Sequence, residues 1–347
     1  MSIHCFYHSV DLDGHCSGAI VKYRFPEAIM HPINYGDEFP YDHVDPGDTV
    51  YMVDFCLQPD EKMKELHNYL HEGRGEFFWV DHHKSQQLLT TQLKHWQGYF
   101  TTRCAACELT WEYLFPDKPI PLAVKLLSLY DSWTYEGHEL EPMVLPFQMR
   151  MRMERLDPRD WDDCRDKWIG LFEIGNLSYE DASGDLMFGP SVDDLVREGK
   201  LLLRYDEEQK RRYVQTYGFE TMLKVNTIDS ARPLPTRLYK AIALNIGMSN
   251  SKVFDSVWRK ECAWCHGKPI LATDKLLSMA CGTCGGKGYL EPYDLMITFC
   301  RRTDHKWNVS LYSTKPDIDC GAIAKSFGGG GHKGAAGFQC VDLPFEY

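Results

Sequence analysis

The sequence predicts a two-lobed α/β protein. Its N-terminal lobe would hold a mostly parallel sheet flanked by helices, and a smaller α/β C-terminal lobe would carry an inserted zinc ribbon. Three observations predict it. Short apolar runs alternate with helical patterns over residues 1–150, as in strands joined by crossover helices. After residue 217 the text turns to strand-like pieces. Among those pieces stand two Cys-x-x-Cys pairs at the spacing of a zinc ribbon.

"IHCFYH" (3–8) reads as the first strand and "GHCSGAIVKYRF" (14–25) as the helix packed after it. "TVYMVDF" (49–55) is apolar enough for a buried strand, and "PDEKMKELHNYLHEG" (59–73) has amphipathic helical spacing. "EFFWVD" (76–81) is the third strand, and "CELTWEYLF" (107–115) and "PLAVKLLSLYDSW" (121–133) read as helices. These make a first domain of 1–150. A helical connection follows over 151–217. Residues 151–190 show no clear period, and 191–215 form a long charged helix with Val192, Leu195, Val196, Leu202 and Leu203 on one side. That helix either links two lobes or packs on one of them. The second domain, 218–347, has strands at 238–247, 293–300 and 307–313, the zinc insertion at about 258–290, and a final helix with a glycine run.

A chain of 347 residues, 44% of them hydrophobic, can bury two cores. It has no run of ~18 uncharged apolar residues to span a membrane. Its start, "MSIHCFYHSV", lacks the basic-then-apolar pattern of a secretory signal, so a cytoplasmic location is expected. A net charge of −12 argues against broad binding of long nucleic acid. It leaves room for a short anionic ligand held by metal ions and a few lysines. The 13 cysteines are odd in number and several sit in pairs two residues apart, which suggests reduced thiols and metal binding.

Candidate ligands gather where an open parallel sheet binds its ligand, beyond the carboxyl ends of the strands. His8, Asp11 and Asp13 follow the first strand in "HSVDLDG", and Asp54 ends the second. Asp81, His82 and His83 close the third, in "FFWVDHHKS" (77–85). Asp131 lies near the end of an apolar helix, where an unpaired carboxylate would be costly. Each alone has a plain structural explanation, such as a turn or a helix cap. Jointly, carboxylates and imidazoles at successive strand ends suit two divalent cations, manganese in particular. Such a pair can activate water and stabilise an in-line phosphoryl displacement.

"HSVDLDG", "VDF", "VDHHKS" and "YDSW" resemble, in order, the four motifs of the DHH phosphoesterase family. "IAKSFGGGGHKGAAGF" (323–338) is similar to the substrate-binding motif of its DHHA-type C-terminal domain. The stretches "HSVDLDGHCSGAIVKY", "DHHKS" and "LTWEYLF" look closest to the nano-RNase and oligoribonuclease branch. The resemblance implies one metal on His8, Asp11 and Asp54, and a second on Asp13, Asp54, His82 and Asp131, with Asp54 bridging. It implies that Asp81, His82 and His83 are catalytic, His83 facing the scissile phosphate and Asp81 orienting a neighbouring histidine. Cobalt or magnesium could replace manganese. The implied reaction is hydrolysis of short oligoribonucleotides to mononucleotides by metal-activated water.

The run at 328–331 reads by itself as a helix C-cap, a hairpin or an anion-binding nest. The resemblance implies that Gly329, Gly330, Gly331 and His332 grip the terminal nucleotide across the cleft from the metals. Cys262, Cys265, Cys281 and Cys284 read as one structural zinc site, closed to catalysis. The insertion around them would be a staple, although it might instead cap the cleft, bind a partner or pair two chains into a homo-oligomer. Cys104 and Cys107 are read as buried small residues at a helix start. The tryptophans are read as core, Trp133 included, although its place beside Asp131 also suits stacking on a base.

The sequence reading is therefore a phosphoesterase acting on short oligonucleotides, with no membrane partner. A cyclic or linear dinucleotide phosphodiesterase and a phosphoadenosine-phosphate phosphatase need the same chemistry and stay open. The contrasting class is a nucleotide-binding regulatory protein that uses the zinc insertion as a contact surface. Retention of every acidic ligand argues against it, because buried carboxylates without metal are a poor structural choice.

Overall fold

A computed structural model describes residues 1–92, 96–173, 178–180, 186–188, 191–225, 228–229, 232–233, 237–247, 249–266, 281, 283–284 and 287–347. The chain divides into two compact units, Met1–Arg204 and Tyr205–Tyr347. No helix among the described residues is long and apolar enough to cross a membrane.

The first unit begins with β1 (Ile3–His8), α1 (Leu12–Arg24), β2 (Ile29–Ile33), β3 (Thr49–Val53) and α2 (Asp60–Glu72). It continues with β4 (Glu76–Asp81), α3 (Leu89–Gln92), β5 (Gln97–Phe100), α4 (Ala106–Leu114), α5 (Leu122–Asp131), α6 (Glu141–Met151) and α7 (Trp161–Phe172). The five strands pair in parallel in the order β2-β1-β3-β4-β5. Central β3 is buried at all five positions, as a strand covered on both faces must be. Alternation sorts its side chains: Val50 and Met52 join Phe6, Phe77, Trp79 and the α2 residues Met63, Leu66 and Leu70. Tyr51 and Val53 join Cys5, Tyr7, Val80 and the α1 residue Val21 on the other face. A further helical layer, with Trp111, Val124, Phe147 and Trp168, packs around Ile20 of α1. Residues within 151–190 thus supply a regular helix, α7, whose Cys164, Trp168, Leu171 and Phe172 are core. Its apolar positions are diluted by charged neighbours, which hid the period. Short strands β6 (Ser178–Glu180) and β7 (Leu186–Phe188) follow; 174–177, 181–185 and 189–190 lie outside the described residues.

The long charged helix is α8 (Val192–Tyr217), and the division between units falls inside it. The second unit then contains β8 (Phe219–Val225), β9 (Ile228–Asp229), β10 (Arg232–Pro233), β11 (Arg237–Asn245), α9 (Asp255–Trp258), β12 (Lys260–Glu261) and β13 (Tyr289–Leu290). It ends with β14 (Leu295–Arg301), β15 (Trp307–Tyr312), α10 (Cys320–Ser326), β16 (Gly330–Gly331) and β17 (Ala335–Cys340). Six of these strands form a mixed sheet, β16-β17-β15-β14-β11-β8, in which only β11 and β14 run parallel. Ile323 and Ala324 of α10 pack on one face with Ile297, Phe299 and Leu311. Val214, Phe254 and Trp258 pack with Leu244 and Met296 in a separate cluster.

One glycine ties the first helix to the first strand. A Cβ at Gly14 would stand 2.0 Å from the His8 carbonyl oxygen, so only glycine lets α1 start this close to β1. Gly14→Ala should lower unfolding free energy by about 2–4 kcal/mol through overpacking against rigid backbone. Urea unfolding measures this, and an unchanged midpoint would contradict it.

Candidate metal centre

The strand order 2-1-3-4-5 reverses direction between β1 and β3, and the crevice beyond that reversal is where such sheets bind ligands. Register sets the residues side by side there. Tyr7 pairs with Val53 and Val53 with Val80, so His8, Asp54 and Asp81 stand in one row a step further on. The expected strand 49–55 stops at Val53 because Asp54 takes a left-handed backbone, φ 55°. Its N–H still donates to the Val80 carbonyl at 2.9 Å. That conformation costs about 1 kcal/mol for a non-glycine residue, and aspartate tolerates it better than most.

Asp54 is 1% exposed, with imidazoles on three sides. Its Oδ2 lies 3.7 Å from His8 Nδ1, and its Oδ1 lies 3.5 Å from His82 Nε2 and 3.9 Å from His83 Nδ1. His8 Nδ1 is also 2.9 Å from Asp11 Oδ2. His82 Nε2 is 3.5 Å from Asp13 Oδ2 and 3.2 Å from Asp131 Oδ2. Three overlapping sets of donor atoms, each within 4.8 Å of one another, result: His8–Asp11–Asp54, Asp13–His82–Asp131 and, between them, Asp54–His82–His83. Asp54 belongs to the first and the last of them.

Among the described residues, His8 Nδ1, Asp54 Oδ1 and His82 Nε2 are buried and make no hydrogen bond. Leaving three such atoms unpaired costs about 1–3 kcal/mol apiece unless something else satisfies them. Carboxylate oxygens and imidazole nitrogens converging without mutual hydrogen bonds fit divalent cations of the hard or borderline kind.

Electrostatics agree. Burial disfavours a charged imidazole, yet the Asp11 and Asp54 carboxylates raise His8 to about 10. Burial likewise opposes charge on His82, but Asp131, Asp54 and Asp13 raise it to about 11. Burial, then repulsion from Asp54 and Asp131, pushes the Asp13 carboxyl well above the carboxylate range. The basin is short of positive charge.

Neighbouring elements hold the ligands in place. Asp11 caps α1, its Oδ1 accepting from Gly14 N–H at 3.0 Å. Asp13 is received by the N-terminus of α4, where Cys107 N–H donates to Oδ1 at 2.8 Å and Ala106 N–H to Oδ2 at 2.9 Å. Sequence reading saw only buried cysteines in "RCAACE" and missed this service; a helix start following the third strand was the available signal. Asp81 Oδ1 accepts from the N–H groups of His82 and His83 at 2.6 and 3.1 Å, and lies 2.7 Å from His83 Nδ1. The histidine it orients is therefore His83. With Nδ1 so engaged, His83 is left with Nε2 for other work. Tyr35 was also missed, sitting in a polar turn after an edge strand. Its ring meets His8 at 5.6 Å and Phe55 at 5.0 Å.

Asp131 is the last residue of α5, and the chain leaves it by a Schellman turn. Thr134 N–H donates to the Leu129 carbonyl at 3.1 Å and Trp133 N–H to Tyr130 at 3.2 Å, with Trp133 at φ 55°. Trp133 is not core: it is 65% exposed. Trp264, between Cys262 and Cys265, is exposed as well.

The glycine run ends α10 and opens a hairpin, both of which the sequence allowed. Gly328, φ 79°, and Gly329 donate their N–H groups to the carbonyls of Lys325 and Ala324 at 3.0 and 2.9 Å. Those two N–H groups are therefore not free for a nest. Gly330 and Gly331 pair with Gly337 and Ala336, and a Cβ at Gly329 would stand 2.1 Å from the Gly337 carbonyl oxygen. His332 is exposed beyond them.

Cys262, Cys265, Cys281 and Cys284 come together beside the β12–β13 pair. Sulfur separations are 3.7 Å for Cys262–Cys281 and 3.6 Å for Cys265–Cys284. A zinc tetrahedron with bonds of ~2.3 Å has sulfur–sulfur edges of about 3.8 Å, so the geometry fits that ion. Against burial, the backbone N–H groups of Cys284 and Thr283 lower Cys281 to about 6. The rest of the expected ribbon, 267–280, lies outside the described residues.

No protein-family model matches the chain. Protein R106 of Acanthamoeba polyphaga mimivirus, uncharacterised, is 29% identical over 194 residues, covering 48% of this chain and 44% of its own length. The chain thus spans under half of that relative. Oligoribonuclease NrnB of Bacillus subtilis (strain 168) is 21% identical over 378 aligned positions, 99% of this chain and 74% of NrnB. The solved structure of a pGpG-specific phosphodiesterase, PggH, from Vibrio cholerae aligns over 98% of this chain and 93% of its own, at 11% identity and a TM-score of 0.47.

Two outcomes follow from the geometry. Near neutral pH the cation-free protein holds protons on His8 and His82, because their values are raised to about 10 and 11. A ligating imidazole sheds its proton, so cation binding should release protons and tighten as pH rises from about 6 to 9. Calorimetry in buffers of different ionisation enthalpy reads the release; none, or affinity falling with pH, contradicts ligation. Separately, the wild type should carry one zinc per chain by metal analysis, and Cys281→Ser should lose it and lower the melting temperature by about 5 °C or more. Retained zinc with unchanged melting would remove the staple.

Proposed function

We propose that the chain is a DHH-type phosphoesterase that hydrolyses short oligoribonucleotides to mononucleotides. The observation that carries the reading is the trio of unpaired, buried ligand atoms on His8, Asp54 and His82. Buried polar atoms normally have partners, and three unpaired ones that converge on one point suit ligands awaiting cations. His8, Asp11 and Asp54 would hold one ion, and Asp13, Asp54, His82 and Asp131 the other. Manganese suits the mixed carboxylate–imidazole set. When bound, two such ions supply activation of water and neutralisation of charge on a phosphodiester.

The protein's own residues do the rest. Asp81 fixes the His83 ring through Nδ1 and raises its basicity, so His83 holds a proton more readily and presents Nε2. From there it donates to a phosphate oxygen or to the departing sugar oxygen. The α4 N-terminus keeps Asp13 aimed at the centre. Gly329, Gly330, Gly331 and His332 are the proposed nucleotide-holding element of the second unit, with the exposed His332 as its contact. The substrate class is supported by similarity across 99% of this chain to a protein named an oligoribonuclease. The charge of −12 disfavours long nucleic acid.

A manganese-dependent hydrolysis panel tests the proposal. It holds RNA from two to about twenty-four nucleotides, matching DNA, cyclic dinucleotides and phosphoadenosine phosphate. RNA below about five nucleotides should disappear fastest, and Asp54→Ala should slow the reaction by roughly a thousandfold or more. Preference for a cyclic dinucleotide would replace the substrate. Full activity in well-folded Asp54→Ala would remove the metal-dependent mechanism.

A further inference from the structure

We propose that Trp133 is the platform on which a nucleobase of the substrate stacks, a proposal that rests on the oligoribonucleotide reading and names its base-holding residue. The first argument comes from the backbone. Three helices of this chain end in the same turn, with the same pair of hydrogen bonds and a left-handed residue after the last helical turns. At the end of α10 that residue is Gly328, which the conformation favours; at the end of α2 it is the exposed Arg74, and at the end of α5 it is Trp133. The bulkiest side chain thus occupies a position where glycine is easiest, and its 65% exposure shows that no core contact requires it. A disfavoured conformation kept without a packing reason points to function.

Position is the second argument. Trp133 is two residues from Asp131, whose carboxylate lies 3.2 Å from His82 Nε2, so their Cα atoms are at most about 7.6 Å apart. A base is one sugar removed from the phosphate such a centre would hold. The surroundings give the third. Tyr130 and Tyr135 flank the indole, with ring centres at 6.1 and 6.3 Å and interplanar angles of 29° and 35°. Tyr135 is buried, and Tyr130 is covered by the Arg152 guanidinium at 5.3 Å, which also donates to its hydroxyl at 3.1 Å. Of the three rings, the indole is the one that presents itself to solvent. Arg152 makes no ion pair among the described residues and lends the platform a cationic edge. Every base has a π face, so such a platform reads stacking and tolerates any sequence.

The test uses full-length protein and a diribonucleotide containing 2-aminopurine, with a methylene group replacing the bridging oxygen to prevent cleavage. Wild type should bind it with quenched 2-aminopurine fluorescence. Trp133→Gly, which suits the left-handed turn, should melt within about 3 °C of wild type while losing the quench. Its Kd should rise roughly tenfold, inside the 5- to 150-fold span expected for one stacked base. Trp133→Phe should recover most of the affinity, and with cleavable dinucleotide the loss should fall on KM rather than kcat. Equal Kd in wild type and Trp133→Gly, or no binding by wild type, overturns the platform; an indole that serves a protein partner would give the former. Binding with quench but no cleavage of any phosphodiester would instead sink the hydrolytic reading and leave the platform standing.

Discussion

A carboxylate taken out of water needs a partner for each oxygen, and Asp54 Oδ1 has none among the described residues. The residue is almost wholly buried, and three imidazoles approach without hydrogen-bonding to it. Burying a charge this way is unfavourable unless a cation or a proton answers it. The left-handed turn at the end of β3 adds a conformational cost, and directs the side chain to where the ligand sets converge. Everything else around the sheet's end serves that carboxylate. Strand register places His8 beside it, the α4 N-terminus holds Asp13 opposite His82, and Gly14 allows α1 to start against His8.

The same logic separates the two members of the DHH histidine pair. They are adjacent in sequence and 4.6 Å apart by ring centre, yet their partners differ. His82 turns an unpaired nitrogen to three carboxylates, while His83 is taken by Asp81. On the proposed reading one is a ligand and the other a proton-holding group, and Asp81 makes the difference. It does so with a single oxygen, Oδ1, that gathers both backbone N–H groups and the ring.

Much of this was legible in the sequence because it is local. β1, β3 and β4 announced themselves as apolar runs ending in ligand residues, and their ends fell within two residues of expectation. α2 and α5 showed their spacing, and the four zinc cysteines showed theirs. What stayed hidden depends on the fold. Edge strands β2 and β5 are short and half-exposed, and β2 is interrupted by His31 and Pro32, so neither stands out as a strand. The bond from α4 to Asp13 joins residues 93 and 94 positions apart, which no window of sequence sees. Trp133 read as core because tryptophan usually is; only the left-handed turn after α5 turns it outward.

The central claim is that one carboxylate, Asp54, joins two cations. Low-temperature electron paramagnetic resonance of the manganese-loaded protein tests it most directly. A shared carboxylate keeps the two ions about 4 Å apart, close enough for exchange coupling and a multiline spectrum of a spin pair. Asp54→Ala should convert that spectrum to the six-line pattern of isolated manganese. Isolated six-line manganese in the wild type at two ions per chain would show that the ions do not share Asp54, and would contradict the account.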